Sequence, residues 1–195
     1  ITANAVTVDG FALTGATGVR DIGQLSVAIR NNVITAGAVG ADVEQLTTTV
    51  SDGVTVGRNC ITLTSQLPGP APTFALFVNT IAGAQAPVIR TNGVSGAFYG
   101  YLLYSNNAAV PTIVRGGTVT GVMQGVAVVN LNPQTLSSYA PSKFVVDGVS
   151  MSGFTGNYPA APAINIHAGV YVFTGGSDPA KNISGGISNV AVTGT

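Results

Sequence analysis

Val114–Gly121, which reads Val-Arg-Gly-Gly-Thr-Val-Thr-Gly, is a phrase that recurs along this chain of 195 residues. The repeat phrase begins with an apolar residue, followed by Arg or Asp and then by Gly, Asn or Thr. After two variable positions it ends with an apolar residue, Ser or Thr, and often Gly. Clear copies begin at Val8, Ile29, Ile89, Val114 and Val146, and looser copies begin at Val56 and Ile183. Variable spacing around a fixed phrase indicates one structural unit with insertions of different length.

The alternation of apolar and polar residues within the phrase predicts a strand, a turn and a second strand. One such unit cannot bury its apolar face alone, so we expect the copies to stack at the strand spacing of about 4.8 Å. The stacked apolar residues would include Ile29, Ile89, Val114 and Val146. Gly and Asn tolerate the positive φ of a tight turn. The predicted turn ladder consists of Asn31, Asn32, Asn59, Asn92, Gly116, Gly117 and Gly148.

The composition excludes several classes of function. Charged residues make up only 7% of the chain, and seven basic side chains balance seven acidic ones, so we expect no general attraction to nucleic acid. The single cysteine, Cys60, rules out an intrachain disulfide and a Cys-based zinc site, and beside Ile61 it is expected to be buried. No apolar run is long enough to span a membrane. The sequence indicates no cofactor and no metal site.

A second type of strand recurs after Thr73, with copies that begin at Phe74, Tyr101, Val126 and Val170. One column of its side chains, formed by Leu76, Leu103, Val128 and Val172, is uniformly aliphatic and predicts the inward face. The opposite parity predicts an outward apolar stripe. The predicted stripe contains Phe77, Leu102, Tyr104, Val129, Tyr171 and Phe173.

These features resemble the right-handed parallel β-helix proteins, the pectate-lyase-like superfamily, and most of all their bacterial surface fibre and adhesin members. The resemblance is carried by Val8–Gly15, Ile89–Gly96, Val114–Gly121 and Val146–Gly153, each followed by a strand such as Gly125–Asn130. It implies one β-helix domain over residues 1–195, of about seven coils with Pro- and Gly-rich loop insertions, or a segment of a longer rod. Polysaccharide lyases, hydrolases, epimerases, phage tailspikes and adhesins share this fold, so the fold does not choose the function.

In the lyase-like members the resemblance implies a catalytic groove on the outer face of one sheet, lined by Asp, Arg and Lys. The outward columns of the four recurring strands contain no carboxylate, Arg or Lys. General acid–base chemistry needs such groups within reach of the substrate. We therefore expect no catalytic residues and no enzymatic activity. The acidic stretch 37–51 is interpreted as an excursion with a helical turn at Asp42–Leu46.

Two surfaces are candidates for contact with a partner. The apolar stripe is too hydrophobic to face water alone, so it is covered by a loop of the chain, forms a lateral protein contact, or serves as a carbohydrate-stacking platform. The charged position of the repeat phrase places Arg30, Arg90 and Arg115 in one row. This row either contacts an anion or acidic glycan or consists of solvated side chains.

The sequence predicts a non-catalytic structural subunit or segment of an extracellular or cell-surface filament, sheath or adhesin. It would assemble with itself by end-to-end β-stacking and lateral apolar contacts, with a glycan as a further candidate partner and with no membrane span. One alternative is a polysaccharide-binding or polysaccharide-cleaving lyase-like domain that uses Tyr99, Tyr101 and Tyr104 with Arg90 and Arg115. Another is a phage tailspike-like fibre.

Overall fold

The computed structural model describes residues 1–24, 26–45, 53–66, 71–80, 85–105, 109–130, 141–156, 166–174 and 183–194. All regular secondary structure in these ranges is β, and none of it is a helix that could cross a membrane. The eighteen strands are β1 (Thr7–Asp9), β2 (Ala12–Ile22), β3 (Ala28–Arg30), β4 (Val33–Gln45), β5 (Thr55–Gly57), β6 (Cys60–Leu63), β7 (Phe74–Thr80), β8 (Val88–Arg90), β9 (Gly93–Ser95), β10 (Tyr99–Ser105), β11 (Thr112–Arg115), β12 (Thr118–Thr120), β13 (Gln124–Asn130), β14 (Ser142–Asp147), β15 (Ser150–Ser152), β16 (Ala168–Thr174), β17 (Ile183–Ser188) and β18 (Ala191–Thr193).

All described strand pairs are parallel, and they form one sheet of seven strands and one of eleven. The seven-stranded sheet has the order β1-β3-β5-β8-β11-β14-β17. The other has the order β16-β13-β10-β7-β4-β6-β9-β12-β15-β18, with β2 beside β4. The chain adds one strand to the first sheet, then one or two to the second, and repeats; each such set is called a rung. The expected all-β architecture of parallel strands is confirmed.

The eleven-stranded sheet has two halves that the long strand β4 joins. Residues Val33–Ala36 of β4 pair with β6, whereas residues Val39–Gln45 pair with β7. The triplet half contains the first parts of β2 and β4 together with β6, β9, β12, β15 and β18. The long-strand half contains the last parts of β2 and β4 together with β7, β10, β13 and β16. The parallel sheet is nearly closed around the core.

At the joint between the two halves, the backbone passes too close to the core for a side chain. A Cβ atom at Gly100 would lie 2.6 Å from the carbonyl oxygen of Gly125 and 2.6 Å from Cγ1 of Val119. The same column across the rungs holds only the smallest residues: Gly18, Gly40, Ala75, Gly100, Gly125 and Gly169. These positions are small because the two halves pack directly against each other there.

The repeat phrase is the corner between the seven-stranded sheet and the triplet half. The first residues of its copies are Cα partners in one continuous column: Val8, Ile29, Val56, Ile89, Val114, Val146 and Ile187. Stacking of the phrase is therefore confirmed. The copy assigned to Ile183 is wrong, because Val146 pairs with Ile187 and the last phrase is Ile187–Gly194. The Gly-Gly pair at 185–186 resembles the Gly-Gly pair in the turn of Val114–Gly121. The prediction therefore placed the last phrase four residues too early.

The predicted turn ladder is confirmed in part. Asn31, Gly116, Gly117 and Gly148 have positive φ, but Asn32, Asn59 and Asn92 do not. The residue that follows the second position of each phrase has positive φ, and these residues are Gly10, Asn31, Arg58, Thr91, Gly116, Gly148 and Asn189. Directly after three of them lie the buried Asn32, Asn59 and Asn92. The Oδ1 atom of Asn59 accepts hydrogen bonds of 3.0 Å from both the backbone N–H and Nδ2 of Asn32, and Asn92 repeats this arrangement with Asn59. The ladder satisfies backbone groups that the turns would otherwise bury unpaired.

Two further expectations are wrong. The residues Asp42–Gln45 belong to strand β4 and not to a helical turn, because the apolar residues Ala41 and Val43 alternate with the acids and point into the core; Leu46 lies outside the described residues. Cys60 is exposed. It precedes the fully buried Ile61 in β6, and neighbouring side chains of a strand point to opposite faces.

Candidate functional site: an aromatic groove with a charged end

The outer surface of the long-strand half carries two columns of side chains. One column contains Arg20, Asp42, Phe77, Leu102, Ala127 and Tyr171. The other contains Ile22, Glu44, Asn79, Tyr104, Val129 and Phe173. On β2 and β4 the columns carry Arg20, Asp42 and Glu44 beside the apolar Ile22. From β7 to β16 they are apolar or aromatic except for Asn79. This surface has both the apolar stripe predicted from sequence and a charged end that was not predicted.

The aromatic part of this surface forms a groove of about 260 Å³. Its lining residues are Pro72, Phe74, Tyr99, Leu102, Tyr104, Val129, Tyr171 and Phe173. Five of the six predicted stripe residues are among them, and the sixth, Phe77, contacts Tyr104 edge-on with ring centroids 5.6 Å apart. Leu102 is buried, Phe173 is 41% exposed, and the remaining four are half-buried. The structure therefore brings the predicted stripe together on one surface.

Phe74 and Tyr99 also belong to the groove. Tyr99 was predicted as a contact only in the glycan-binding alternative, and Phe74 was not predicted there. Their rings stack with centroids 5.6 Å apart. The expected alignment placed Phe74 beside Tyr101, but Phe74 pairs with Tyr99, and Tyr101 pairs with Leu76. Tyr101 consequently points into the core and is fully buried, so the suggested role of Tyr101 as an exposed glycan contact is wrong. The error came from matching the ring of Phe74 with that of Tyr101. The correct register follows from the small residues Ala75 and Gly100, which come directly after Phe74 and Tyr99 and lie side by side.

The charged end of this outer surface consists of Arg20 on β2 and of two acids, Asp42 and Glu44, on the neighbouring strand β4. Arg20 on β2 pairs through Nε with Asp42 Oδ2 at 2.9 Å and through Nη2 with Glu44 Oε1 at 3.2 Å. Asp42 is almost completely buried, and its Oδ1 atom has no hydrogen-bond partner among the described residues. The prediction that the outward columns of the four recurring strands lack charge is confirmed, and the charges lie on β2 and β4, to which that prediction did not extend.

Two carboxyl groups at this end have altered acidity. Burial raises the pKa of Asp42 to about 6, and the nearby negative charge of Glu44 adds to the effect while Arg20 opposes it. Asp21 follows Arg20 but points inward, in register with Val43, and is fully buried. Burial raises its pKa to about 6 as well. Both groups can exchange a proton near neutral pH, although only Asp42 lies on the outer surface.

The predicted arginine row lies on the seven-stranded sheet, away from the groove. The row runs in register through Asp9, Arg30, Gly57, Arg90, Arg115, Asp147 and Ser188. Arg30 pairs with Asp9 at 2.9 Å and Arg115 with Asp147 at 3.5 Å. Arg90 is exposed and has no ion pair within the described part of the chain. The row therefore contains balanced pairs around one free arginine and is not a continuous basic patch.

The chemistry available at the groove is limited. In the ranges that the structure describes, no group of three His, Cys, Asp or Glu residues could hold a metal ion. The acids Asp42 and Glu44 do not line the groove, because Phe77 and Asn79 of β7 lie between them and it. The groove itself can bind an apolar or amphipathic surface.

Comparisons of this chain with protein-family models, with curated proteins and with solved structures gave no match. The functional assignment therefore rests on the residues and their geometry.

Proposed function

We propose that this chain is a parallel β-helix segment of an extracellular filament, sheath or adhesin, with a structural and non-catalytic role. In this proposal each rung is one coil, and coils of neighbouring segments stack end to end. The repeating order of strands through seven rungs supports it. The low charge of the chain, 7% of residues, suits an extracellular surface with little electrostatic repulsion between copies.

The observation that carries the proposal is the open core at the last strand of each of three inward columns. The three inward columns are fully buried at Val128, Val146 and Met151 of the inner rungs. Their next members are exposed: Val172 by 46%, Ile187 by 52% and Val192 by 53%. A stack of strands that presents core residues and unpaired backbone groups is a template for further parallel strands. A further coil, either of the same protein or of a second copy, would bury these side chains.

The first rung offers a matching surface. Val8 and Leu13 begin two of the same three inward columns, and they are only half-buried although they pack against the core. The first rung of one copy can thus follow the seventh rung of another in the same register, with Val8 placed on Ile187 and Leu13 on Val192. Burial of each large apolar side chain would contribute roughly 1.5–3 kcal/mol.

The test is self-association of the purified chain, followed by sedimentation over a range of concentrations. We expect concentration-dependent rods, and we expect Ile187→Lys with Val192→Lys to abolish them because charge would be buried in the contact. Val33→Lys is the matched control, since Val33 is equally exposed, at 56%, but points outward. A chain that stays monomeric at every concentration, or rods unaffected by the double substitution, would contradict the proposal.

A second candidate function is the binding of a glycan in the aromatic groove. It is favoured by one specific observation, the two stacked ring pairs Phe74–Tyr99 and Tyr171–Phe173 in one concave surface. Flat aromatic faces bind the apolar faces of sugar rings. In this function the groove would attach a filament to a polysaccharide without cleaving it.

Oligosaccharide binding measured by calorimetry tests this second function. Tyr99→Ala should weaken binding at least tenfold, because a stacking face is lost. Phe11→Ala is the control, since Phe11 is an exposed aromatic residue outside the groove lining. Equal binding by both variants, or release of cleaved products, would contradict a non-catalytic glycan site in this groove.

A further inference from the structure

The outer surface of the triplet half carries an unbroken row of hydroxyl groups. The last residue of each strand triplet is Ser or Thr in all seven rungs: Thr14, Thr35, Thr62, Ser95, Thr120, Ser152 and Thr193. These residues are Cα partners from one strand to the next, without a bulge between them. The row therefore repeats at the strand spacing of about 4.8 Å. This surface, together with the row beside it, is called the hydroxyl face.

The neighbouring row of the hydroxyl face is made of small or medium side chains. It contains Ala12, Val33, Cys60, Gly93, Thr118, Ser150 and Ala191. The two rows together include no charged residue and no aromatic residue. All of these side chains are exposed or half-buried, so the face is open to solvent.

The hydroxyl groups are held in position by the core beneath them. The central residue of each inner triplet, for example Ile61 or Val119, is fully buried. Thr62 Oγ1 and Ser95 Oγ lie 3.3 Å apart, which links adjacent rungs through their side chains. Threonine in a strand has restricted χ1 freedom, so the array loses little conformational entropy when it binds.

The chemistry of the face excludes most classes of partner. Small-molecule sites are concave and largely apolar, and the cores of protein interfaces are rich in aromatic residues and Arg. Nucleic acids require positive charge. A sugar ring requires a stacking platform, and among the described residues the groove supplies one whereas the two rows of the hydroxyl face contain no aromatic residue. What remains is an uncharged partner with a regular surface of hydrogen-bond donors and acceptors.

We propose that the hydroxyl face binds ice. The ice surface carries no net charge, as this face carries none, and its oxygen atoms repeat at a distance close to the spacing of parallel strands. Each threonine offers one hydroxyl to the lattice, while its methyl group limits the orientations of the water beside it. A rigid row of such groups matches many lattice sites at once, so weak contacts add up along the row. This function is independent of end-to-end assembly, because a single copy already presents seven hydroxyl-bearing rungs.

The test is incorporation of the amine-labelled chain into a slowly growing ice hemisphere, together with the inhibition of ice recrystallisation. Labelling at Cys60 is avoided because Cys60 lies on the face. We expect the chain to be enriched in the ice and recrystallisation to slow. Exclusion of the chain from ice would overturn the proposal, and so would retention on crystalline cellulose or chitin without any effect on ice.

Substitutions on the hydroxyl face distinguish a loss of ice binding from a loss of fold stability. Thr62→Lys with Thr120→Lys should remove ice incorporation, because two charged side chains interrupt the row. Thr7→Lys with Thr55→Lys is the matched control on the outward face of the seven-stranded sheet, and it should retain the wild-type activity. Thr62→Val with Thr120→Val keeps the side-chain shape and should reduce incorporation with no change in unfolding temperature. Equal loss of activity in the face variants and the control would overturn the assignment.

Discussion

The two halves of the eleven-stranded sheet have apolar inner surfaces and different outer surfaces. The triplet half buries an aliphatic column that includes Ile61 and Val119. The long-strand half buries Leu76 and Val128 and also holds Tyr101 and Asp21 on its inner face. Outside, the triplet half shows small hydroxyl side chains in every rung, whereas the long-strand half shows acids and an arginine followed by aromatic rings. The buried inner columns hold the rungs together, so the outward side chains are not needed for the fold. They can therefore form two separate contact surfaces, the aromatic groove and the hydroxyl face.

The largest effect is expected from a substitution at the joint, which would disrupt both halves together. Gly100→Val should cost at least about 3 kcal/mol of unfolding free energy, because its side chain would be forced against Val119 and the backbone of Gly125. Chemical denaturation measures the cost. Gly93→Ala is the control, since its Cβ would lie 3.6 Å from the nearest atom, Thr118 Oγ1, and should change stability by less than about 0.5 kcal/mol. Similar stability of the two variants would show that the joint is not tightly packed.

The second effect distinguishes the halves by pH, because the two carboxyl groups with raised pKa values among the described residues lie on the long-strand side. The folded-state pKa values of Asp21 and Asp42 are about 6, against 3.8 for the ordinary carboxyl group. The unfolded chain therefore loses these protons first, and the unfolding free energy should fall as pH rises from about 4 to about 6 and then level off. The fall should be roughly 2 kcal/mol for each group.

Asp21→Asn should remove a large part of that fall, since the amide cannot ionise. Asp9→Asn is a suitable control, because hydrogen bonding from Asn31 lowers the pKa of Asp9 and this group stabilises the fold only above its unfolded pKa. The stability of the Asp9→Asn variant should therefore still fall between pH 4 and 6. Stability that rises through this range in the wild-type chain would refute the assignment of Asp21 as a buried acid.

A third, smaller effect concerns the aromatic groove. Tyr104→Asp with Phe173→Asp should lower the unfolding free energy by only about 1 kcal/mol, because both side chains are partly exposed. Any lateral association that buries the groove should be lost, because the contact would then enclose unpaired charge. Light scattering at fixed rod length measures lateral association. Unchanged bundling would indicate that copies do not meet through the groove.

The smallest effect is expected on the hydroxyl face. Thr62→Val should change the unfolding free energy by less than about 0.5 kcal/mol, since the side chain is exposed and valine keeps the β-branched shape. Thermal unfolding at neutral pH measures the change. A large loss of stability would mean that the Thr62–Ser95 hydrogen bond supports the fold, and the hydroxyl row would then be explained by structure alone.

The inner surface was largely predictable from sequence because it repeats. The phrase gave the column from Val8 to Val146 and the turn positions, and the alternation within β10, β13 and β16 gave the stripe at Leu102, Tyr104, Val129, Tyr171 and Phe173. Errors arose where local chemistry imitates another signal. The acids Asp42 and Glu44 resemble a loop, although Ala41 before them and Val43 between them already show the period of a strand.

The register of β7 could not be predicted from side-chain type alone. Phe74 resembles Tyr101 in size, but the close approach at the joint selects Ala75 to pair beside Gly100. The requirement for a small residue comes from contact with the triplet half of the sheet, for example with Val119. The sequence of one strand alone does not reveal this contact. The charged end of the outer surface was not predicted for the same reason. Arg20 contacts Asp42 only because β2 and β4 pair in the folded chain.

The most direct test of the central claim is fibre diffraction from aligned assemblies of the purified chain. End-to-end stacking of coils predicts rods with strands perpendicular to the rod axis and a meridional repeat of about 4.8 Å that continues across the junctions between copies. The same preparation of Ile187→Lys with Val192→Lys should contain no rods. Wild-type samples that remain discrete particles at high concentration, or that show strands parallel to the fibre axis, would contradict the account.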